Sequence, residues 1–178
     1  MLDRFSNNLL LIAYIVYIHE MNDFSILDNS GDLDEESKML MEKASEALKF
    51  AYAPYSNFRV ATAILLGDGT VVTGTNQENA AYPSGMCAER VALFTLSSQH
   101  PGKKVIKLLV LAKLADQTAS TPASSCGSCR QVMLEFEQRQ GQPFEVVMQG
   151  QDGRWVRAVS AASLLPFCFS NESLGVRK

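Results

Sequence analysis

The chain has 178 residues, of which 47% are hydrophobic and 20% charged, and its formal net charge is −3. That length and balance fit one domain with a full core, and exclude a disordered chain, a collagen-like chain and a coiled-coil rod. A mildly acidic chain offers no basic footprint for a phosphate backbone, so no nucleic-acid partner is expected.

Residues 9–18 read LLLIAYIVYI, ten apolar residues. A membrane span needs about 20, so no membrane partner is expected. A secretory leader is disfavoured as well: Arg4 sits beside Asp3, and no small-residue cleavage pattern follows before His19, Glu20 and Asp23. The run reads as a buried or edge strand, or as a segment ahead of a start at Met21. Residues 22–33 are polar and read as a loop. Asp32 or Asp34 then caps a helix that runs to about residue 52, with Leu40, Ala44, Ala47, Leu48 and Ala51 on one stripe, until Pro54 stops it.

Residues 58–66 and 70–75 read as strands joined by Gly67-Asp68-Gly69, a hairpin signal. Residues 76–86 lack a period and read as a loop, and residues 86–97 as a helix. Residues 104–113 are apolar enough for a sheet centre. After a Ser/Thr/Ala/Pro loop, residues 126–139 read as a helix and 144–149 as a strand. A turn at 150–153 leads to a strand at 154–159, and a short helix at 161–165 ends at Pro166. The order predicts one layered α/β domain with a mixed sheet.

Chemistry concentrates on the cysteines. Cys126-Gly-Ser-Cys129 is a C-x-x-C pair, Cys87 stands 39 positions earlier, and Cys168 lies in a Phe-Cys-Phe run. Four cysteines are too few for a disulfide scaffold, and free thiols point to a reducing compartment. A thioredoxin-like redox pair belongs after a first strand, which this one does not follow. A metal suits it better. Cys87 opens one predicted helix, and Cys126 and Cys129 open another. Helix amino ends favour thiolates, and three thiolates on zinc leave a fourth position for water or for a fourth protein ligand. Cys168 is the one remaining cysteine for that ligand, in a closed structural site; its ordinary role between two phenylalanines is that of a small core residue. Glu89 weighs toward the open site. Two positions after Cys87, its carboxylate can sit beside the metal without ligating it, ready to take a proton from a water whose pKa falls toward about 7. Alone, Glu89 would merely offset the helix dipole. Arg90 can offset the excess charge of three thiolates, with Arg130 as the other candidate.

Cys87-Ala-Glu-Arg90 followed by Cys126-Gly-Ser-Cys-Arg-Gln131 resembles the signature of the small, homotetrameric cytidine deaminases, a close relative of the general zinc-deaminase signature. The likeness extends to Ala51-Tyr-Ala-Pro-Tyr-Ser-Asn-Phe58, to Asn76-Gln-Glu-Asn-Ala-Ala-Tyr-Pro83 and to Leu164-Leu-Pro166 with Phe169, so it covers residues 34–169. It implies a three-layer α/β/α sandwich around a five-stranded mixed sheet. Residues 31–178 would be a single zinc-dependent deaminase domain, and residues 1–30 an extension to which no motif assigns a role. It implies one Zn²⁺ per chain on Cys87, Cys126 and Cys129, and Glu89 as proton shuttle. Phe58, Asn76, Glu78, Ala80, Tyr82 and Ala88 would bind substrate, with Phe169 arriving from another subunit and Asn76 and Glu78 bonding the ribose hydroxyls. The implied activity is hydrolytic deamination of cytidine and deoxycytidine to uridine and deoxyuridine plus ammonia, in pyrimidine salvage, by a cytoplasmic homotetramer with sites shared between subunits.

Three alternatives stand beside it. One is a zinc deaminase of another aminated nucleoside, such as an antibiotic nucleoside, and another is a structural four-cysteine zinc module. The third, a polynucleotide deaminase, would need a basic groove and stacking aromatics, which net −3 and 8% aromatic residues do not supply. The chain departs from the family pattern twice. Ser125 stands where the family has proline, which predicts a looser loop into the metal site. Ala61 stands where the family has glycine, which predicts a narrower pocket if substrate approaches there.

Overall fold

The structure, a computed structural model, describes residues 23–175. The apolar run at 9–18 lies outside the described residues. A six-stranded mixed sheet is ordered β1-β6-β5-β4-β2-β3, from β1 (Phe24–Leu27), β2 (Phe58–Leu66), β3 (Val71–Thr75), β4 (Val105–Leu114), β5 (Glu145–Gln149) and β6 (Trp155–Ala158). Helix α1 (Glu35–Ala47) covers one face; α2 (Ala88–Gln99) and α3 (Gly127–Gln140) cover the other. Among the described residues no helix is long and apolar enough to cross a membrane.

The sheet has six strands where five were expected. The sixth is β1, in the segment read as a loop. It is only four residues long, with alternate residues exposed. It exists because β6 offers an open edge, on which Phe24 pairs with Ala158 and Leu27 with Trp155 in antiparallel register. Its one core contact is Leu27, packed against the layer under α1. The short helix expected at 161–165 is a single 3₁₀ turn, Ala162–Leu164.

Alternation along the central strands builds two cores. Ala61, Ala63, Leu65, Leu109, Leu111, Val147 and Trp155 face α1, which returns Leu40, Ala44 and Ala47 from the predicted stripe. Ile64, Leu66, Leu108, Val110, Val146 and Met148 face α2 and α3, which return Ala92, Leu93, Leu96 and Met133. Parallel pairing of β4 with β5 requires a crossover, and α3 supplies it. The predicted hairpin turn is present, with Gly69 at φ +85°, a conformation that suits glycine.

Asp34, not Asp32, caps α1 by accepting from the Ser37 N–H at 2.8 Å. Asp32 closes a separate small turn with Asn29. Asp34 also meets the buried Lys107 ammonium on β4 at 2.8 Å, and Glu36 and Glu145 complete the ring at 3.0 and 3.1 Å. Burial alone would raise the Asp34 carboxyl, but the Lys107 ammonium and the Ser37 bonds hold it at about 2. On the other face, the buried Glu137 at the end of α3 accepts from the backbone N–H groups of Phe144, Ala161 and Ala162 and from the Ser160 hydroxyl, which ties the C-terminal segment to the core.

Gly74 on β3 sets how closely α2 approaches. A Cβ there would lie 2.3 Å from the Ala92 nitrogen and 2.7 Å from the Ala88 carbonyl oxygen. Gly74→Ala is expected to destabilise the fold by about 1–3 kcal/mol, read by denaturant unfolding, because the clash is with backbone that cannot rotate away. A carboxyl whose pKa is depressed on folding stabilises the fold above its ordinary value of 3.8 and loses that contribution as pH falls toward about 2. Asp34→Asn keeps the cap but not the charge, so its melting temperature is expected to fall less than wild type between those two pH values.

Candidate active site

Two helix amino ends converge on one edge of the sheet. Cys87 is the residue before α2, and Cys126 the residue before α3. Helix caps are ordinarily oxygen side chains that bond the free N–H groups of the first turn. Neither cysteine makes such a bond, so each sulfur stays available. Cys129, buried in the first turn of α3, completes the group.

Cys87 Sγ lies 3.9 Å from Cys126 Sγ, which lies 3.4 Å from Cys129 Sγ, and all three fall within 4.8 Å of one another. Sulfurs at about 2.3 Å from a tetrahedral zinc stand about 3.8 Å apart, so this donor set fits that ion. Arg90 Nη2 donates to Cys87 Sγ at 3.6 Å. The Cys129 thiol and the Arg90 guanidinium together hold Cys87 down at about 5, which makes it a thiolate. Cys129, hydrogen-bonded to Cys87 and buried, is pushed up. Arg130, the other cation considered, bonds no sulfur; its Nε donates to the Ser125 carbonyl at 2.9 Å and its Nη1 to that of Leu164 at 3.4 Å. It thereby joins the cysteine loop to the C-terminal segment.

A cavity of about 710 Å³ opens above the sulfurs, a size suited to a small molecule. Cys87, Ala88, Glu89, Arg90 and Cys126 form one side, and Phe58, Asn76, Glu78 and Tyr82 also line it. Glu89 is only 4% exposed, and burial pushes its carboxyl up from the ordinary 4.5. Asn76 is held in place from both sides of its amide: Oδ1 accepts from the Val60 N–H at 2.8 Å, and Nδ2 donates to the Phe58 carbonyl at 2.9 Å. Glu78 accepts from the Tyr55 and Ser56 N–H groups at 2.9 and 3.3 Å and from the Ser56 hydroxyl, and that hydroxyl is the main reason its carboxyl lies below the ordinary value.

Ala80, expected to help line the site, is not in this cavity, and neither is Phe169, which was expected from another subunit. Both are exposed, and Phe169 is tied back by Gln131 Nε2 donating to its carbonyl at 2.8 Å. Cys168 is exposed rather than buried in a core, and it is not in the sulfur group. Ala61 is fully buried toward α1, on the face of β2 away from the cavity, so its extra methyl cannot narrow the pocket. Ser125 does not leave the loop loose. It is buried, its N–H donates to Met148 Sδ at 3.4 Å, and Arg130 grips its carbonyl. Among the lining residues not singled out from sequence are Tyr55, Ser56, Met86 and Ser124. The first two sit in the Tyr-Ser segment before Phe58, whose N–H groups bonding a carboxylate were the missed signal.

Residues 34–141 match the family model described as the cytidine and deoxycytidylate deaminase zinc-binding region. The chain is 36% identical over 139 residues to a cytidine deaminase of Halalkalibacterium halodurans, covering 78% of this chain and 98% of that one. It is 38% identical over 135 residues to a cytidine deaminase of Sporosarcina psychrophila, covering 76% and 92%. The crystal structure of a cytidine deaminase from Burkholderia pseudomallei superposes with a TM-score of 0.62 at 39% identity, covering 77% of this chain and all of that one. One from Mycobacterium tuberculosis gives 0.60 at 32% identity, covering 77% and 99%.

Zinc content per chain, measured by elemental analysis, is expected to fall well below one in Cys126→Ser and in Cys129→Ser. It is expected to stay at one in Cys168→Ser, since that thiol is exposed and apart from the sulfur group.

Proposed function

This chain belongs to the cytidine and deoxycytidylate deaminase family, and on that premise we propose the roles of its residues in the hydrolytic deamination of cytidine to uridine and ammonia. The observation that carries the reading is a buried carboxylate, Glu89, beside three sulfurs on the wall of an open nucleoside-sized cavity. Cys87, Cys126 and Cys129 hold zinc, which when bound acts as a Lewis acid and makes water nucleophilic near neutral pH. Arg90 offsets the charge of the thiolates through its bond to Cys87.

Glu89 moves the protons. Its carboxylate takes the proton that water sheds as the water oxygen bonds to C4, and passes it to N3 of the cytosine ring; it then takes the proton of the new C4 hydroxyl and delivers it to the amino group, which leaves as ammonia as the C4 carbonyl forms. Its burial suits this work, because it raises the carboxyl above its ordinary value and so makes it a better proton acceptor. Phe58 packs against the planar base, with Ala88 and Tyr82 beside it. Asn76 and Glu78 bond the ribose hydroxyls. Asn76 has one acceptor site and one N–H left after fastening β2, and the Glu78 carboxylate keeps further lone pairs. The reading extends to deoxycytidine and to a role in pyrimidine salvage, as the family resemblance implies.

The enzyme works as a cytoplasmic homotetramer. The exposed aromatics Phe50, Tyr82, Phe167 and Phe169 support assembly of copies, since they offer apolar surface for a partner to cover, while the number of copies and the compartment follow the family resemblance. Ala80 and Phe169 then complete the site of a neighbouring copy rather than their own.

Glu89→Gln is expected to keep one zinc per chain and lose turnover by about 10²–10⁴-fold, followed by the ultraviolet change as cytidine becomes uridine. Full activity in that variant would end the proposed role.

A further inference from the structure

Of the three grouped sulfurs, that of Cys126 belongs to the exposed cysteine, which stands ahead of the first turn of α3 rather than within it. Its place is therefore set by the span that enters the helix, residues 123–125. That span is anchored at three points. The Ala123 N–H donates to the Gln149 carbonyl at 3.1 Å, the Ser125 N–H donates to Met148 Sδ at 3.4 Å, and Arg130 Nε donates to the Ser125 carbonyl at 2.9 Å. Two of the three acceptors belong to the carboxyl end of β5. The Met148 sulfur is the unusual one. A backbone N–H inside a protein ordinarily meets an oxygen, and one left without an acceptor is costly. Ser125 is buried, so its N–H depends on what the protein offers. Met148 is buried too, among the residues that face α2 and α3, and its strand partner Val110 lines the cavity.

We infer that Met148 is a positioning residue for the metal site: its thioether accepts the Ser125 N–H and so holds Cys126 where its sulfur meets those of Cys87 and Cys129. This rests on the three cysteines holding zinc. One hydrogen bond at the Ser125 N–H and another at its carbonyl fix the peptide planes on both sides of the residue, and the second plane carries the Cys126 nitrogen. Cys126 Sγ then stands 3.9 Å from Cys87 Sγ and 3.4 Å from Cys129 Sγ. Without the sulfur, the N–H has to turn toward another acceptor, and the backbone that enters Cys126 turns with it. Proline, the residue of the family pattern at this position, has no N–H and stiffens the chain by its ring instead. Serine brings a donor, and the thioether, flexible enough to reach it, takes that donor up.

The test compares Met148→Leu, Ser125→Pro and the double variant in the full chain. Leucine keeps the volume of methionine without its sulfur, so the core is retained. Zinc affinity is read by competition with a chromophoric chelator. Met148→Leu is expected to bind zinc about tenfold more weakly than wild type, the lower end of what groups behind metal ligands are worth. In the Ser125→Pro background the same substitution is expected to change zinc affinity by less than about twofold, because the donor is gone. The Ser125 amide proton, followed by NMR, is expected to move upfield in Met148→Leu as it loses its acceptor. Unchanged zinc affinity in Met148→Leu overturns the inference and leaves the three-sulfur site standing. Equal weakening in the two backgrounds also overturns it, since the loss is then one of core packing. An unmoved Ser125 proton overturns it whatever the affinities, and serves as the test should Ser125→Pro fail to fold. A wild type that binds no zinc overturns the three-sulfur reading, and the inference with it.

Discussion

Three sulfur atoms from segments 39 positions apart must stand within 4.8 Å of one another, and most of the architecture serves that constraint. Two helices have to begin at the same place above the sheet. Gly74 lets β3 approach the backbone of α2 without a side chain between them. The crossover from β4 to β5 brings α3 alongside, and Arg130 ties the loop that enters α3 to the carbonyl of Leu164. Using cysteine in place of an oxygen cap leaves the first-turn N–H groups without a side-chain partner, and their positive field then favours thiolate.

Another part of the cavity lining is built by a different device. The backbone around Tyr55 and Ser56 is organised around Glu78, and the entry of β2 is organised around Asn76. These polar side chains support the loop and face the cavity together. Such double duty holds these acceptors at fixed places on the cavity wall, without a moving part. The buried charges elsewhere, Lys107 among its three carboxylates and Glu137 among backbone donors, hold α1 and the C-terminal segment in register with the sheet rather than taking part in the site.

Local signals accounted for much of the fold. The α1 stripe of Leu40, Ala44 and Ala47, the Gly67–Gly69 turn and the apolar β4 are determined by period and turn chemistry within a few residues. Strand β1 was not legible because four half-exposed residues carry no period of their own and pair only when β6 leaves an edge open. Side-chain direction was also out of reach at Ala61. A strand alternates, and whether an odd or even position faces the cavity depends on which helix covers which face. Cys168 was misplaced for a related reason: an apolar neighbourhood in sequence did not become one in space.

By itself the sequence determined the chemistry available. It spelled out three thiols at metal spacing, a carboxylate two positions from the first, and the polar pair Asn76 and Glu78, because residue type alone decides what can ligate, donate or accept. Only the tertiary structure decided which of these groups meet. It placed the sulfurs of α2 and α3 together, chose Arg90 over Arg130 for the thiolate and left Ala80 and Phe169 outside the cavity. It also buried the Ser125 hydroxyl with no hydrogen-bond partner among the described residues. Distances between segments far apart in the chain follow from how the layers pack, and no local pattern encodes them.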